Sequence, residues 1–216
     1  MLKATAQDLE GEEPQGRQRE VLEAALRILV RDGGRLTMAS VAAEANCSKE
    51  TLYKWFGGRD GLLSAIVRGQ ASQVRIEPLE GAKLDRAALI ERLTQFAEDW
   101  LRVVSSERSL ALNRLAIGDA GEEADGELGR IVLDNGRFAL GQKLKPVLEA
   151  ARAAKLLQFG DAEEAFRTFF GLIARDVHIR LLLGDKLKLS RAAITAEAAR
   201  AVEQFLQLFA PASRRV

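Results

Sequence analysis

The chain has 216 residues, 47% of them hydrophobic and 29% charged, with a net charge of +1. That balance excludes a mainly disordered chain and suits one medium domain, or a small domain joined to a larger one, with a real core. Pro occurs four times and aromatics make up 6%, so this Ala/Leu/Arg/Glu-rich sequence is expected to be all-α. The single cysteine, Cys47, and the single histidine, His178, remove disulfide, zinc-cluster and most Ser/His/Asp or Cys/His readings. No enzyme, metal or cofactor is expected. Residues 1–16 form a polar, acidic tail without the apolar core of a signal peptide, and no apolar run approaches the roughly eighteen residues of a membrane span. The expectation is a cytoplasmic protein with no membrane association.

Charge is unevenly placed. Between Arg17 and Gln70 nine basic residues face six acidic ones, a mildly basic unit that the whole-chain sum conceals. In chain order, Val21, Leu22, Ala25, Ile28 and Leu29 recur at helical spacing from Arg17 to Asp32, and Gly33-Gly34 supplies a stop. Thr37 caps a short second helix through Ala45 carrying Met38, Val41 and Ala42 inward. Asn46 takes the turn, and Ser48 caps a third helix to about Phe56. Two short helices joined by a tight turn make a helix-turn-helix. After Gly57-Gly58 a fourth helix starts near Arg59 and carries Leu62, Leu63, Ile66 and Val67.

Beyond Gln70, the segment Ser72 to Lys83 with Pro78 and Gly81 reads as a linker or break. Helices are expected over Asp85 to Val104, Glu107 to Ile117 and roughly Glu127 to Leu157. The acidic stretch Gly118 to Gly126 is read as a loop, and Pro146, Gly129, Gly136 and Gly141 predict a kink or interruption in the third of these helices. Asp161 caps an apolar helix to Leu183, and Thr195 starts the last, ending near Leu208. About nine helices result: a helix-turn-helix domain over 17–70 and a helical bundle over 71–216.

The stretch Val21 to Leu63 resembles the DNA-binding domain of the TetR family of bacterial repressors. The resemblance rests on Ala24-Ala25 and Gly33, Thr37, Ser48-Lys49, Thr51-Leu52-Tyr53, Trp55-Phe56 and Leu62-Leu63, spaced without a gap. It covers about a quarter of the chain; the remainder is similar to the family's helical effector and dimerisation domain in length and helix count.

In a helix-turn-helix the second helix presents its early residues to base edges in the major groove. Leu52 and Phe56, four apart, face inward, leaving Ser48, Lys49, Glu50 and Lys54 as the candidates for base readout, with Tyr53 also on an outward face. Lys49 or Lys54 suits guanine O6/N7, and Glu50 suits cytosine N4. Outside this motif the same residues would read as a solvated charged face. The resemblance places Thr37, Thr51, Tyr53, Trp55 and Arg59 against the sugar-phosphate backbone. Arg59 stands where Lys is usual and keeps the charge; Trp55 replaces the usual His or Tyr and is equally a donor or a packed ring; Asn46 and Gly58 replace the usual Gly and Ser. Cys47 reads as a packed residue ahead of a redox sensor.

The helix from Asp161 shows two apolar stripes. One holds Phe166, Phe170, Ile173 and Val177 and the other Ala165, Phe169, Leu172 and Ile179. The last helix repeats this with Ala198 and Phe205 beside Val202. A helix apolar on two sides buries both. By resemblance the second stripe, with Ala198, Val202 and Phe205, meets a second copy in a four-helix dimer interface; a thick monomeric core is the competing arrangement. Effector-pocket candidates are Phe96, Trp100, Phe138, Phe166 and Phe170 with Asn113, Arg114 and His178 as polar groups, although any single aromatic also suits core packing. The expected partners are double-stranded operator DNA, a second copy of the chain and a small apolar or amphipathic ligand. The alternative is a helix-turn-helix protein controlled by a protein partner or by no effector.

Overall fold

The computed structural model describes residues 16–32, 36–77, 84–121 and 127–211, and every regular element among them is helical. The chain divides into two compact units, one of residues 1–68 and 111–132, the other of 69–110 and 133–216. The first unit ends at Arg68 in its amino-terminal part and also takes in residues 111–132, a segment the sequence reading groups with the bundle. The acidic tail, the Gly33-Gly34 stop and the Pro78–Gly81 break lie outside the described residues.

In the first unit, α1 (Gly16–Arg31) buries Val21, Leu22, Ala25, Ile28 and Leu29, the periodic set that defines its inner face. The second helix, α2 (Met38–Glu44), opens on a capping box in which Thr37 accepts from the Ser40 N–H and Ser40 accepts from the Thr37 N–H. It closes on Asn46, at φ 48°, with the Asn46 N–H donating to Ala43 and the Cys47 N–H to Ala42. This is a Schellman closure with asparagine in the left-handed position. Helix α3 (Lys49–Phe56) follows at once, and α4 (Arg59–Ala71) starts after Gly57, which ends α3 at φ 73°. The core joins these helices to Leu112 and Ala116 of α6 (Glu107–Gly121) and to Leu128 and Ile131 of α7 (Glu127–Val132). Helix α6 runs past its expected end at Ile117.

The second unit is built on α5 (Arg86–Val104), a π-helical turn (Leu133–Phe138), α8 (Ala139–Ala153), α9 (Ala162–Ala174), α10 (Val177–Leu182) and α11 (Arg191–Leu208). Helix α11 lies along α5 and α9, and α8 lies along α9. Asp85 and Asp161 cap α5 and α9 as read from sequence. The last helix begins at Arg191, not Thr195, because Ser190 accepts from the Ala193 N–H and caps it earlier. The expected interruption in the helix from Glu127 falls at the π-helical turn around Gly136, while Pro146 lies within α8. The helix from Asp161 breaks at Arg175, whose φ is 41°.

The two-stripe reading of α9 and α11 is corrected. Ala165, Phe169, Ala198, Val202 and Phe205, expected to meet a second copy, are buried in the unit's own core. At about 100° per residue, positions 165, 166, 169 and 173 share one broad arc, and that arc is the buried one. Phe169 stacks on Phe96 at 6.0 Å and on Phe205 at 4.9 Å between ring centroids. Leu172 is half-buried and Ile179 exposed.

A buried carboxylate anchors the chain that follows α4. Asp99, 1% exposed, accepts from the backbone N–H and Nε of Arg75, from Nε2 of Gln95 and from Nη1 of Arg102. Burial pushes its pKa up, but the Arg75 and Arg102 hydrogen bonds outweigh that and hold the carboxyl below its ordinary value.

Candidate functional site

The helix-turn-helix is held from both sides. Arg17 donates through Nη2 to the carbonyls of Ala45 and Asn46, at 2.9 and 3.1 Å, tying the start of α1 to the turn. Leu52 is fully buried, and half-buried Cys47, Trp55 and Phe56 pack against the same core. Trp55 meets Phe56 edge-on at 6.4 Å. Cys47 thus takes the packed position read from the sequence.

With Leu52 inward, the outer face of α3 presents Lys49, Glu50, Tyr53 and Lys54, all exposed, with Ser48 at its start. Ser48 has a structural task besides: its Oγ accepts from the Thr51 N–H and lies 3.1 Å from Thr51 Oγ1. Glu50 curls back to its own backbone N–H and toward the Ser48 hydroxyl, which holds its pKa below the usual value and keeps it an ionised acceptor. Lys49 and Lys54 form no ion pair among the described residues, whereas Glu44 is engaged by Arg31 and Arg27. Glu44 is thereby drawn to arginines of α1 and away from α3, on which Lys49 has only the neighbouring Glu50 charge near it.

Thr37 and Arg59 are brought together. The Arg59 Nε donates to the carbonyl of Leu36 at 3.3 Å, one residue before Thr37. The start of α4 and the start of α2 therefore form one surface with a hydroxyl and a partly exposed guanidinium. Neutral and cationic donors grouped in this way fit phosphate oxygens.

The second unit gathers part of the expected pocket set. Trp100 lies 4.7 Å from Phe170 and 6.4 Å from His178, and Phe166 lies 5.8 Å from Phe170. Phe138 joins them through Arg137, whose guanidinium carbon sits 5.7, 5.5 and 5.1 Å from the ring centroids of Phe138, Phe166 and Phe170. Phe96 is instead a core ring, and Asn113 and Arg114 belong to the first unit. Sequence reading missed Arg137; its place beside Phe138 in a Gly-containing stretch was the available signal. His178 Nε2 is buried without a hydrogen-bond partner among the described residues, and burial lowers the imidazole pKa, so the ring is neutral near pH 7. No group of metal-ligating side chains and no helix able to cross a membrane occurs among the described residues.

Comparison with known proteins agrees with this geometry. Residues 21–66 match the model of the bacterial regulatory proteins of the tetR family, and residues 91–211 match that of the AefR-like transcriptional repressor C-terminal domain. The chain belongs to the TetR family. A TetR transcriptional regulator from Agrobacterium tumefaciens is 43% identical over 91% of this chain and 95% of its own, with a TM-score of 0.77. The flavonoid-responsive regulator FrrA is 26% identical over 91% and 98%, with a TM-score of 0.68. A regulator from Mesorhizobium loti at 23% identity, covering 92% and 100% with a TM-score of 0.70, shares the fold. None of the curated protein sequences matches the chain. As a TetR-family member it is a DNA-binding transcription regulator and not an enzyme.

Proposed function

We propose that this TetR-family chain is a homodimeric repressor that reads a palindromic operator with α3 and leaves it when a small apolar or amphipathic ligand occupies the second unit. The exposed lysines of α3, which form no ion pair among the described residues, carry the reading. Lys49, Glu50 and Lys54 contact bases, while Thr37, Thr51, Tyr53 and Arg59 hold phosphates. Trp55, half-buried, is a packed ring with its edge toward the backbone.

Two copies are needed because operator half-sites lie about one DNA turn, roughly 34 to 36 Å, apart. With Phe169 and Phe205 committed to the core, the face for a second copy is the outer one: Leu172 and Ile179, exposed Leu183 and Leu208, and the exposed small residues Ala192, Ala196 and Ala199 of α11. Helix α4 is the mechanical link, since it starts at Arg59 and its last residues already belong to the second unit. The flavonoid response of FrrA makes flavonoids a reasonable first panel. The test is selection of bound sequences from random DNA, followed by compound-induced release. Recovery of a two-half-site sequence from which a compound displaces the protein supports the reading; absence of any preferred sequence overturns it.

A further inference from the structure

The second unit holds a cation that its fold leaves without an anion. Arg137 is half-buried, sits over three aromatic rings and pairs with no carboxylate among the described residues. Stacking on rings offsets part of the desolvation of a guanidinium, yet leaves its in-plane N–H donors free for a planar or tetrahedral anion. Most other arginines of this unit, among them Arg75, Arg92, Arg102, Arg152, Arg175, Arg180 and Arg200, have acidic partners. Arg86, Arg167 and Arg191 also form no ion pair among the described residues, but they are exposed and solvated by water; Arg137 differs in being half-buried, which marks it as a position where the anion comes from elsewhere.

The surroundings fit an organic anion better than a bare ion. Arg137 and Phe138 project from the π-helical turn, an element that recurs at functional sites. Phe138 is 45% exposed, so one face of the ring group is open. Phe138 and Phe166, two of the rings under the Arg137 guanidinium, also line a neighbouring cavity of about 420 Å³, within the size range of small-ligand sites. Arg137 and Phe170 adjoin it through these rings and are not themselves in its lining. Gly141, also in the lining, lets the Phe166 ring lie against α8: a Cβ there would stand 2.8 Å from Phe166 Cε1. Of the charges in the cavity, Lys145 is neutralised by Glu163 at 3.0 Å, and Asp134 is exposed, where water and salt screen it. Along the same row of rings, beyond Phe170 and Trp100, comes the buried, unpartnered Nε2 of His178. A buried polar atom without a partner calls for a water or a ligand group.

We propose that the second unit takes a ring-bearing organic anion, with its acidic group on Arg137, its rings against Phe138, Phe166 and Phe170, and a hydrogen-bonding group at His178 Nε2. This rests on the reading that the second unit is where the regulator takes its ligand. It narrows the small apolar or amphipathic molecule expected there to one with a flat ring system and a negative charge.

The test uses two fluorescent probes with one skeleton, 8-anilinonaphthalene-1-sulfonate and the uncharged N-phenyl-1-naphthylamine, titrated into the full-length protein at pH 7.5. Both carry an aryl N–H; only the first carries an anion. The sulfonate is expected to bind about tenfold more tightly, a difference of about 1.4 kcal/mol. Arg137→Gln should erase that preference while leaving the neutral probe within about twofold of wild type, and His178→Leu should weaken both probes alike, about threefold, with the ratio kept. Lys143→Gln, at an exposed position on α8, should change neither probe. Arg137→Met, which keeps side-chain length against the rings, serves as the neutral variant should Arg137→Gln lose its helical circular dichroism. Equal binding of the two probes to wild type, or a preference that survives in the neutral variant, overturns the proposal. Operator binding is measured on the same preparations. Retained DNA binding without probe preference sinks this inference alone, whereas loss of sequence-specific DNA binding sinks the repressor reading whatever the probes do.

Discussion

Replacing Asp99 by Asn tests the anchor behind α4. The side chain is 1% exposed and its two oxygens accept four hydrogen bonds, two from Arg75 and one each from Gln95 and Arg102. Asn keeps the shape but turns one acceptor into a donor that faces donors. The arginine side chains, 69% and 51% exposed, regain water and add little. The loss falls on the Gln95 amide and the Arg75 backbone N–H, each deprived of a charged acceptor worth roughly 1.5 kcal/mol or more, so about 3 kcal/mol in all. For a chain of this size that lowers the melting temperature by roughly 6 to 12 °C. The pH dependence has a definite sign. Because the carboxyl pKa is depressed in the folded protein, its contribution is complete above the ordinary value of 3.8 and fades as pH falls through the lower, native value. Thermal unfolding followed by circular dichroism should therefore show a constant gap between wild type and Asp99→Asn from pH 8 to about 5, closing only in acid. A shift under about 2 °C at pH 7, or a gap that does not narrow in acid, would refute the view of Asp99 as a charged anchor.

Arg59→Ala should weaken binding to all DNA and reduce the salt slope by about one unit, whereas Lys54→Ala should also relax preference at one base pair; fluorescence anisotropy on specific and random duplexes separates them. Phe169→Ala should cost about 3 to 5 kcal/mol of stability, because the ring is fully buried between Phe96 and Phe205, without first dissociating a dimer. Charged residues at Ile179 and Leu183 together should give folded monomers by sedimentation, with much weaker operator binding; an unchanged dimer would place the interface elsewhere.

The first unit was nearly complete in the sequence because its signals are local. Thr37, Asn46 and Ser48 announce caps and a turn through short-range hydrogen bonds, and the structure uses each in that way. Leu52 faces inward because helical spacing leaves it nowhere else. The second unit was legible only as helices. Whether Phe169 or Leu172 turns inward depends on which neighbours cover α9, and periodicity on a helix this apolar fixes no phase. The π-helical turn was hidden for a related reason: the extra residue shifts the phase of the chain beyond Leu133, and Arg137 joins its neighbour Phe138 to Phe166 and Phe170, two rings distant in sequence. Likewise, nothing in the segment Ala111 to Val132 foretells that Leu112, Ala116, Leu128 and Ile131 join the core of the first unit.

Unpaired cations give the two units a common logic. Folding alone would pair charges wherever side chains reach, since an uncompensated charge near a low-dielectric interior is unfavourable. In the first unit Arg31 and Arg27 draw Glu44 to the α1–α2 side, and α3 is left with Lys49 and Lys54 facing water. In the second unit most arginines meet carboxylates, and Arg137 meets only rings. A net charge of +1, summed over the whole chain, conceals both departures. Fully solvated lysines along a helix suit a polyanion that arrives as a groove with its own counterions. A guanidinium held against aromatic faces suits a compact anion that brings its own apolar surface. On the proposed reading, the same residual charge selects different partners through the surface around it, an organic anion in one unit and DNA in the other.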